Sequence, residues 1–251
     1  MSKASFPSII VNADNAGIHR TARVIADGGL VAFPTETVYG LGANARDDHA
    51  GAQIFEAKNR PRFNPLIVHV PTMEDAPRLA EFDDRAEEIA NAFWPGPLSI
   101  VLPRRADAGL SFLVSAGLNT IALRLPDSEL ARKLLTAAQC PIAAPSANRS
   151  GEVSPTTAEH VAQSLPEPGN KGPSLILDGG PCGVGLESTV VDLSEPMASL
   201  LRPGGITRED LACHLGTLVV ADSDDTAPRS PGMMTRHYAP ATPLRINATT
   251  A

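Results

Sequence analysis

The sequence predicts an α/β fold, a twisted sheet of mixed parallel and antiparallel strands flanked by helices. Three observations carry that expectation. Strand-like apolar runs intermix with stretches of helical spacing along the chain. Some neighbouring strands have no helix between them, which argues against a purely parallel sheet. Apolar residues make up 43% of the 251 residues but aromatics only 4%, so the core must rest on Leu, Ile, Val and Ala. That composition suits helices packed on a sheet.

Taken in order, Ile18, Ala22, Val24 and Ile25 recur with helical spacing between Asp14 and Asp27, and Gly28-Gly29 ends the run. LVAF at 30–33 reads as a buried strand, and PTETVYGLGANA after it as a loop. A helix is predicted from His49 to Lys58, a strand at 66–70 (LIVHV), and two helical stretches between Thr72 and Phe93. WPGPLSIVLPR joins a Pro-Gly-Pro turn to a strand at 98–102. Further on come a strand at 121–125, a helix from Asp127 to Ala138 and a short strand at 142–144. A helix near 156–164, strands at 174–177 and 188–193, and a helix near 207–214 complete the body. From Ala221 the chain turns polar and Pro-rich and reads as a linker or exposed tail. The expected organisation is one domain over 10–217 and a linker or tail over 218–251.

The formal charge of -7 and the isoelectric point near 5.4 weigh against an extended grip on nucleic acid, which counterion release favours for basic chains. Three cysteines without CxxC spacing suit a reducing compartment better than a disulfide framework or a zinc site. No apolar run approaches the ~20 residues needed to cross a bilayer, and the cytoplasm is the expected location.

Four segments are candidates for chemistry, one of them the Gly-rich DGGPCGVGLESTVVDL (178–193), whose four glycines in seven residues suit a tight crossing or a close backbone approach to a ligand. KNRPRFNPL (58–66) packs three cations into five residues beside a helix end, a compact locus for phosphate oxygens. The same charges would also complement the helix dipole, worth ~0.3–1 kcal/mol each, and the segment alone does not choose between the two. In LIVHV, alternation puts Ile67 and His69 on one face and Leu66, Val68 and Val70 on the other. His69 is then either a satisfied structural histidine or a group pointing into a cleft. APSANRSG (144–151) offers Ser146 and Asn148 just past a strand, as a ligand loop or an ordinary polar turn. The chain contains no GxGxxG, no GxxxxGK[ST], no GxSxG and no HExxH. Its chemistry is therefore expected to rest on positioning and charge stabilisation, without a covalent intermediate.

The segments are more specific together than apart. FPTETVYGLG (33–42), AKNRPRFNPLIVH (57–69), WPGPLSIVL (94–102), IALRLP (121–126), APSANRSG (144–151), LEST (186–189) and LLRPG (200–204) resemble, in order, the motifs of the YrdC-type threonylcarbamoyl-AMP synthases. The match includes the family's KxR pattern as Lys58 and Arg60 and its SxN pattern as Ser146 and Asn148. SPGMMTRHYAP (230–240) resembles the linker of the longer, two-domain form, and the C-terminal domain that follows it there is expected to be lacking here.

The resemblance implies a YrdC-like fold with a concave ligand cleft and the activity of an L-threonylcarbamoyladenylate synthase, a nucleotidyltransferase. L-threonine, bicarbonate or carbon dioxide, and ATP would give threonylcarbamoyl-AMP and pyrophosphate, with Mg²⁺ accompanying ATP and no resident metal. The product would pass to a tRNA threonylcarbamoyl transferase complex that modifies adenosine beside the anticodon. Weak RNA binding is a further expectation, and no membrane is involved. By the same resemblance Lys58 and Arg60 are catalytic and bind ATP with Asn64, Thr120, Ser146, Asn148, Ser154 and Arg202. Tyr238 would cover the nucleotide as a lid. Thr37, His69, Arg124, Ala144 and Ser188 would hold threonine. Two other readings compete: an RNA-holding module, disfavoured by the acidic balance, and a hydrogenase-maturation carbamoyl-transfer domain, disfavoured by the lack of CxxC pairs.

Overall fold

The computed structural model describes residues 9–165, 171–221, 228–233 and 239. Its strands are β1 (Ile9–Asn12), β2 (Val31–Pro34), β3 (Tyr39–Asn44), β4 (Ile67–His69), β5 (Leu98–Pro103), β6 (Thr120–Arg124) and β7 (Ile142–Ala143). These are followed by β8 (Leu175–Asp178), β9 (Thr189–Asp192), β10 (Ser199–Arg202) and β11 (Val219–Val220). Among the described residues they form one sheet in the order β1-β8-β2-β3-β7-β4-β6-β5-β9-β10-β11. β1-β8, β2-β8, β4-β6, β5-β9 and β10-β11 pair in parallel and the other neighbours antiparallel, so the sheet is mixed as expected.

The helices are α1 (Asn15–Ala26), α2 (Asp48–Lys58), α3 (Asp84–Phe93), α4 (Glu129–Ala138), α5 (Ala158–Ser164) and α6 (Arg208–Leu215). Each starts at an Asp, Ser or Thr whose side chain accepts a backbone N–H of the first turn. Such caps contribute about 1 kcal/mol apiece. α1 starts at Asp14, where the sequence placed it.

Two parts of the sequence reading are corrected. The predicted loop after Phe33 contains β3. Its two glycines disguise it, because glycine is depleted from strands. Yet a Cβ on Gly42 would sit 2.7 Å from the Phe33 ring and 2.9 Å from Ile142, so close packing requires glycine there. The first of the two helical stretches between Thr72 and Phe93 is a 3-10 helix, Met73–Arg78. β1, β10 and β11 were not expected.

Period-two alternation distributes the strand residues between two cores. Leu30, Ala32, Val68, Ala143 and Ile176 join α2, α3, α5 and α6 on one face. Val31, Phe33, Ile142, Leu175 and Leu177 join α1 and α4 on the other. α1 and α4 cover only part of that second face. Beyond them it carries a small apolar cluster of Ile67, Val101, Ala122, Val190, Leu201 and Met233, and the functional side chains lie beside it. A register shift in β10 between Leu200 and Arg202 matters here. Leu200 faces the large core, while Leu201 and Arg202 both come to the open face. An unbroken strand would have sent one of them to the opposite side.

Candidate active site

The open face holds a small pocket, with an enclosed volume of about 40 Å³. His69 and Arg124 are register partners at the carboxyl ends of the parallel strands β4 and β6, so both project into the same space. Ile67 lines the pocket too, and Val68 turns to the core, as the predicted alternation requires.

Arg124 is 4% exposed. Its Nη1 donates to Thr37 Oγ1 at 3.0 Å and its Nη2 to Glu36 Oε1 at 2.5 Å. Arg124 Nε, Glu36 Oε2 and His69 Nδ1 are buried without a hydrogen-bond partner. Burial first, and the Arg124 charge second, push His69 down to about 3, so the imidazole is neutral at pH 7. It stands edge-on to Phe33, with ring centroids 6.3 Å apart. Ser188, just before β9, shares a 2.8 Å hydrogen bond with Ser99 on β5. Arg202 Nε donates to Ser188 O at 3.0 Å and its Nη2 to Ser188 Oγ at 3.1 Å. Ala144 follows β7, and its backbone N–H donates to Ile67 O.

The other half of the pocket is organised by the end of α2. Lys58 is its last residue and is 1% exposed. The helix stops because Asn59 adopts the left-handed conformation. Lys58 Nζ reaches across to Ser146 O at 2.5 Å and to Asn148 O. It thereby ties the SxN loop to the helix end instead of merely complementing the dipole. Burial and the neighbouring Arg60 hold its pKa well below the usual lysine range. Arg60 Nη2 donates to Asn64 Oδ1 at 2.6 Å and to Pro65 O at 2.9 Å. Burial and Arg202 push Arg60 down to about 9, which leaves it charged at neutral pH. Asn148 Nδ2 donates to Arg149 O and Glu152 O, and its Oδ1 is buried without a partner. Ser154 Oγ donates to Glu187, the carboxylate among the lining residues.

Of the residues expected from sequence, Thr37, Arg60, His69, Arg124, Ala144, Ser146, Ser188 and Arg202 line this one pocket. Lys58, Asn64, Asn148 and Ser154 stand behind it, the first, second and fourth bonded to lining residues. Thr120 begins β6, four residues or about 13 Å along the strand from Arg124, and does not line the pocket. Tyr238 lies outside the described residues. Glu36, Glu187 and Ser99 were missed. Glu36 and Glu187 sit inside the recognised motifs PTET and LEST, and only their contacts distinguish them from surface carboxylates.

The described linker residues fold back onto the body. Arg229 pairs with the buried Asp192 at 2.6 Å, Ser230 is buried, Pro231 lines the pocket and Met233 inserts beside Ile67 and Ala122. Farther on, Ala239 N donates to Gly151 O at 2.9 Å. A larger pocket, about 340 Å³, lies between Arg46, Pro71, Arg78 and Cys140, but Arg46 and Arg78 are exposed and it lacks a comparable buried cation cluster.

Comparison with known proteins bears on this pocket. The Sua5–YciO–YrdC family model, described as "Telomere recombination", matches residues 23–204. A second model, "Threonylcarbamoyl-AMP synthase, C-terminal domain", matches 206–251. That second match corrects the expectation that C-terminal-domain sequence is lacking; the polar run after Ala221 had concealed it. A Bacillus subtilis protein named threonylcarbamoyl-AMP synthase is 45% identical over 94% of this chain and 68% of its own length. A Pyrococcus abyssi protein of the same name is 48% identical over 89% of this chain and 66% of its own. The chain thus spans about two thirds of the length of these relatives. The crystal structure of P. abyssi Sua5 complexed with L-threonine superposes with a TM-score of 0.86 at 47% identity, over 92% of this chain and 69% of that one.

Proposed function

The chain belongs to the Sua5–YciO–YrdC family of threonylcarbamoyl-AMP synthases, and on that premise we propose that its pocket joins L-threonine, carbon dioxide or bicarbonate, and ATP into threonylcarbamoyl-AMP and pyrophosphate. One observation carries the reading. An amino-acid-sized set of groups, Arg124, His69, Thr37 and Ser188, faces the same small space as the phosphate-binding cations Arg60 and Arg202, with Lys58 directly behind.

The amine of threonine attacks the carbon of carbon dioxide. An N–C bond forms, one C–O π pair moves to oxygen and the amine releases a proton. A carbamate oxygen then attacks the α-phosphorus of ATP, and the bond to pyrophosphate breaks. Two anions have to approach each other, so the cost is electrostatic. Lys58, Arg60 and Arg202 offset it inside a site of low dielectric, where fixed donors are worth more than in water. Arg124 takes the threonine carboxylate, a ligand its planar fork suits. His69, neutral, accepts the side-chain hydroxyl at Nδ1.

Mg²⁺ fits as a companion of the triphosphate. Among the described residues no group of three His, Cys, Asp or Glu side chains makes a resident metal site. Glu187 is the lining carboxylate able to face a phosphate-held ion. Bound there, the ion would neutralise charge on the departing pyrophosphate.

The domain reading extends to a catalytic body over 10–217 and a linker over 218–251 that closes on the nucleotide, with Tyr238 as its cover. Arg229, Pro231 and Ala239 support this reading, because each of them contacts the body. The adenylate then passes to a tRNA threonylcarbamoyl transferase complex in the cytoplasm, with at most weak RNA binding by this chain. Among the described residues no helix is long and apolar enough to cross a membrane. The test is synthesis: ATP, L-threonine, bicarbonate and Mg²⁺ should yield pyrophosphate and a threonylcarbamoyl adenylate by mass spectrometry. Failure to form either with any combination of these substrates would remove the reading.

A further inference from the structure

We infer that Glu36 is a selectivity residue, which fits the threonine half of the pocket to a zwitterion and keeps phosphate oxygens off Arg124. The inference rests on the two-substrate reading above and deepens it.

The difficulty it solves is one of charge. Lys58, Arg124 and Arg202 are buried and Arg60 is half-buried; the three arginines line one small space with Lys58 behind it. A phosphate or pyrophosphate oxygen is attracted to any of them, and ATP carries far more negative charge than an amino acid. An uncompensated Arg124 would therefore take the wrong ligand.

The cations are not treated alike. The hydrogen bonds of Lys58 and Arg60 go to neutral oxygens, those of Ser146, Asn148, Asn64 and Pro65. Arg124 has a carboxylate at 2.5 Å, and the two side chains of that pair are only 5% and 14% exposed, so salt screens it little. Together Arg124 and Glu36 sum to zero charge, as a zwitterion does. Arg124, which lines the pocket, keeps an unpartnered Nε as a donor for a carboxylate, while Glu36 does not line it and acts through the guanidinium it pairs with. A phosphate dianion brought to Arg124 meets the like charge of Glu36 with nothing to offer it.

Glu36 is also held in place by backbone. Val184 N donates to Glu36 O at 2.9 Å and Gly185 N to Thr37 O at 3.0 Å. The Gly-rich loop thus clamps the turn on which Glu36 and Thr37 sit, and both reach the same guanidinium.

The test is steady-state synthesis with threonine varied against graded inorganic phosphate, for the wild type, Glu36→Gln and Glu36→Asp. The wild type should show no competition between phosphate and threonine. Glu36→Gln should raise the threonine KM by about tenfold, leave the ATP KM within about twofold, and acquire phosphate inhibition competitive with threonine. Glu36→Asp keeps the charge and should still exclude phosphate. A folded Glu36→Gln with unchanged threonine KM and no phosphate competition overturns the inference. So does phosphate competing with threonine in the wild type. Should Glu36→Gln not fold, thermal stabilisation of the wild type by threonine decides: indifference to added phosphate supports the role and erosion by phosphate refutes it. A wild type that makes no adenylate would sink the parent reading instead, and calorimetric threonine binding with phosphate as competitor would still decide the part played by Glu36.

Discussion

Lys58 holds the carbonyls of Ser146 and Asn148 against the end of α2, and that single side chain makes one wall from the KxR and SxN segments. Read in the sequence, the two segments were a helix-end charge cluster and a polar turn. Their joint role was legible only through the order of motifs, because a contact between residues 58 and 146 has no local signature. Arg60 is the half-buried arm of this wall, lining the pocket directly. Arg60→Ala should leave the fold intact and lower kcat/KM by about 10²–10³-fold, the usual cost of removing one preorganised charge donor. Pyrophosphate release measures it, and near-normal turnover would take Arg60 out of the site.

His69 gives a second prediction at the same scale. Its pKa falls from 6.5 to about 3 on folding, so between those values the unfolded chain binds a proton that the folded chain refuses. Stability is therefore undiminished above about pH 6.5 and declines as pH drops toward 3, by roughly 4 kcal/mol from this group. Urea unfolding at pH 7, 5 and 4 should show a shallower acid-side decline in His69→Gln, by up to one proton's worth of slope. Equal slopes would mean that His69 is protonated in the folded protein.

At the scale of elements, the β10 irregularity and the turn after it set the pocket's far side. A Cβ on Gly204 would lie 2.4 Å from Thr189 N, 2.5 Å from Glu187 O and 2.7 Å from Ser188 C, all backbone. Gly204→Ala must therefore displace the LEST segment, which supplies Ser188 and Glu187. It should cost about 1–3 kcal/mol of stability and raise the KM of both substrates; a variant with wild-type stability and kinetics would contradict that packing. The helices were readable because their caps and apolar spacing are local. β3 was not, because packing against Phe33 requires a glycine at 42, a residue that propensity counts against a strand. β1 and β11 were hidden for a different reason, being short edge strands with little periodicity to read.

For the whole molecule, the mixed sheet and its two-faced core followed from composition and alternation, whereas the pocket did not. It exists because α1 and α4 leave part of one face uncovered, which depends on how distant helices pack. The linker then returns to that face through Arg229–Asp192, Pro231 and Met233. Deleting residues 230–251 should raise the ATP KM several-fold, about 1 kcal/mol of lost binding, with a smaller effect on threonine. An unchanged ATP KM would count against the closing role.

The central claim is that one pocket has two chemically distinct halves, and calorimetric binding of L-threonine and of ATP to two variants tests it most directly. Arg124→Gln should lose threonine binding and keep that of ATP, and Arg60→Ala should do the reverse. Folded variants that lose both ligands together, or neither, would contradict it.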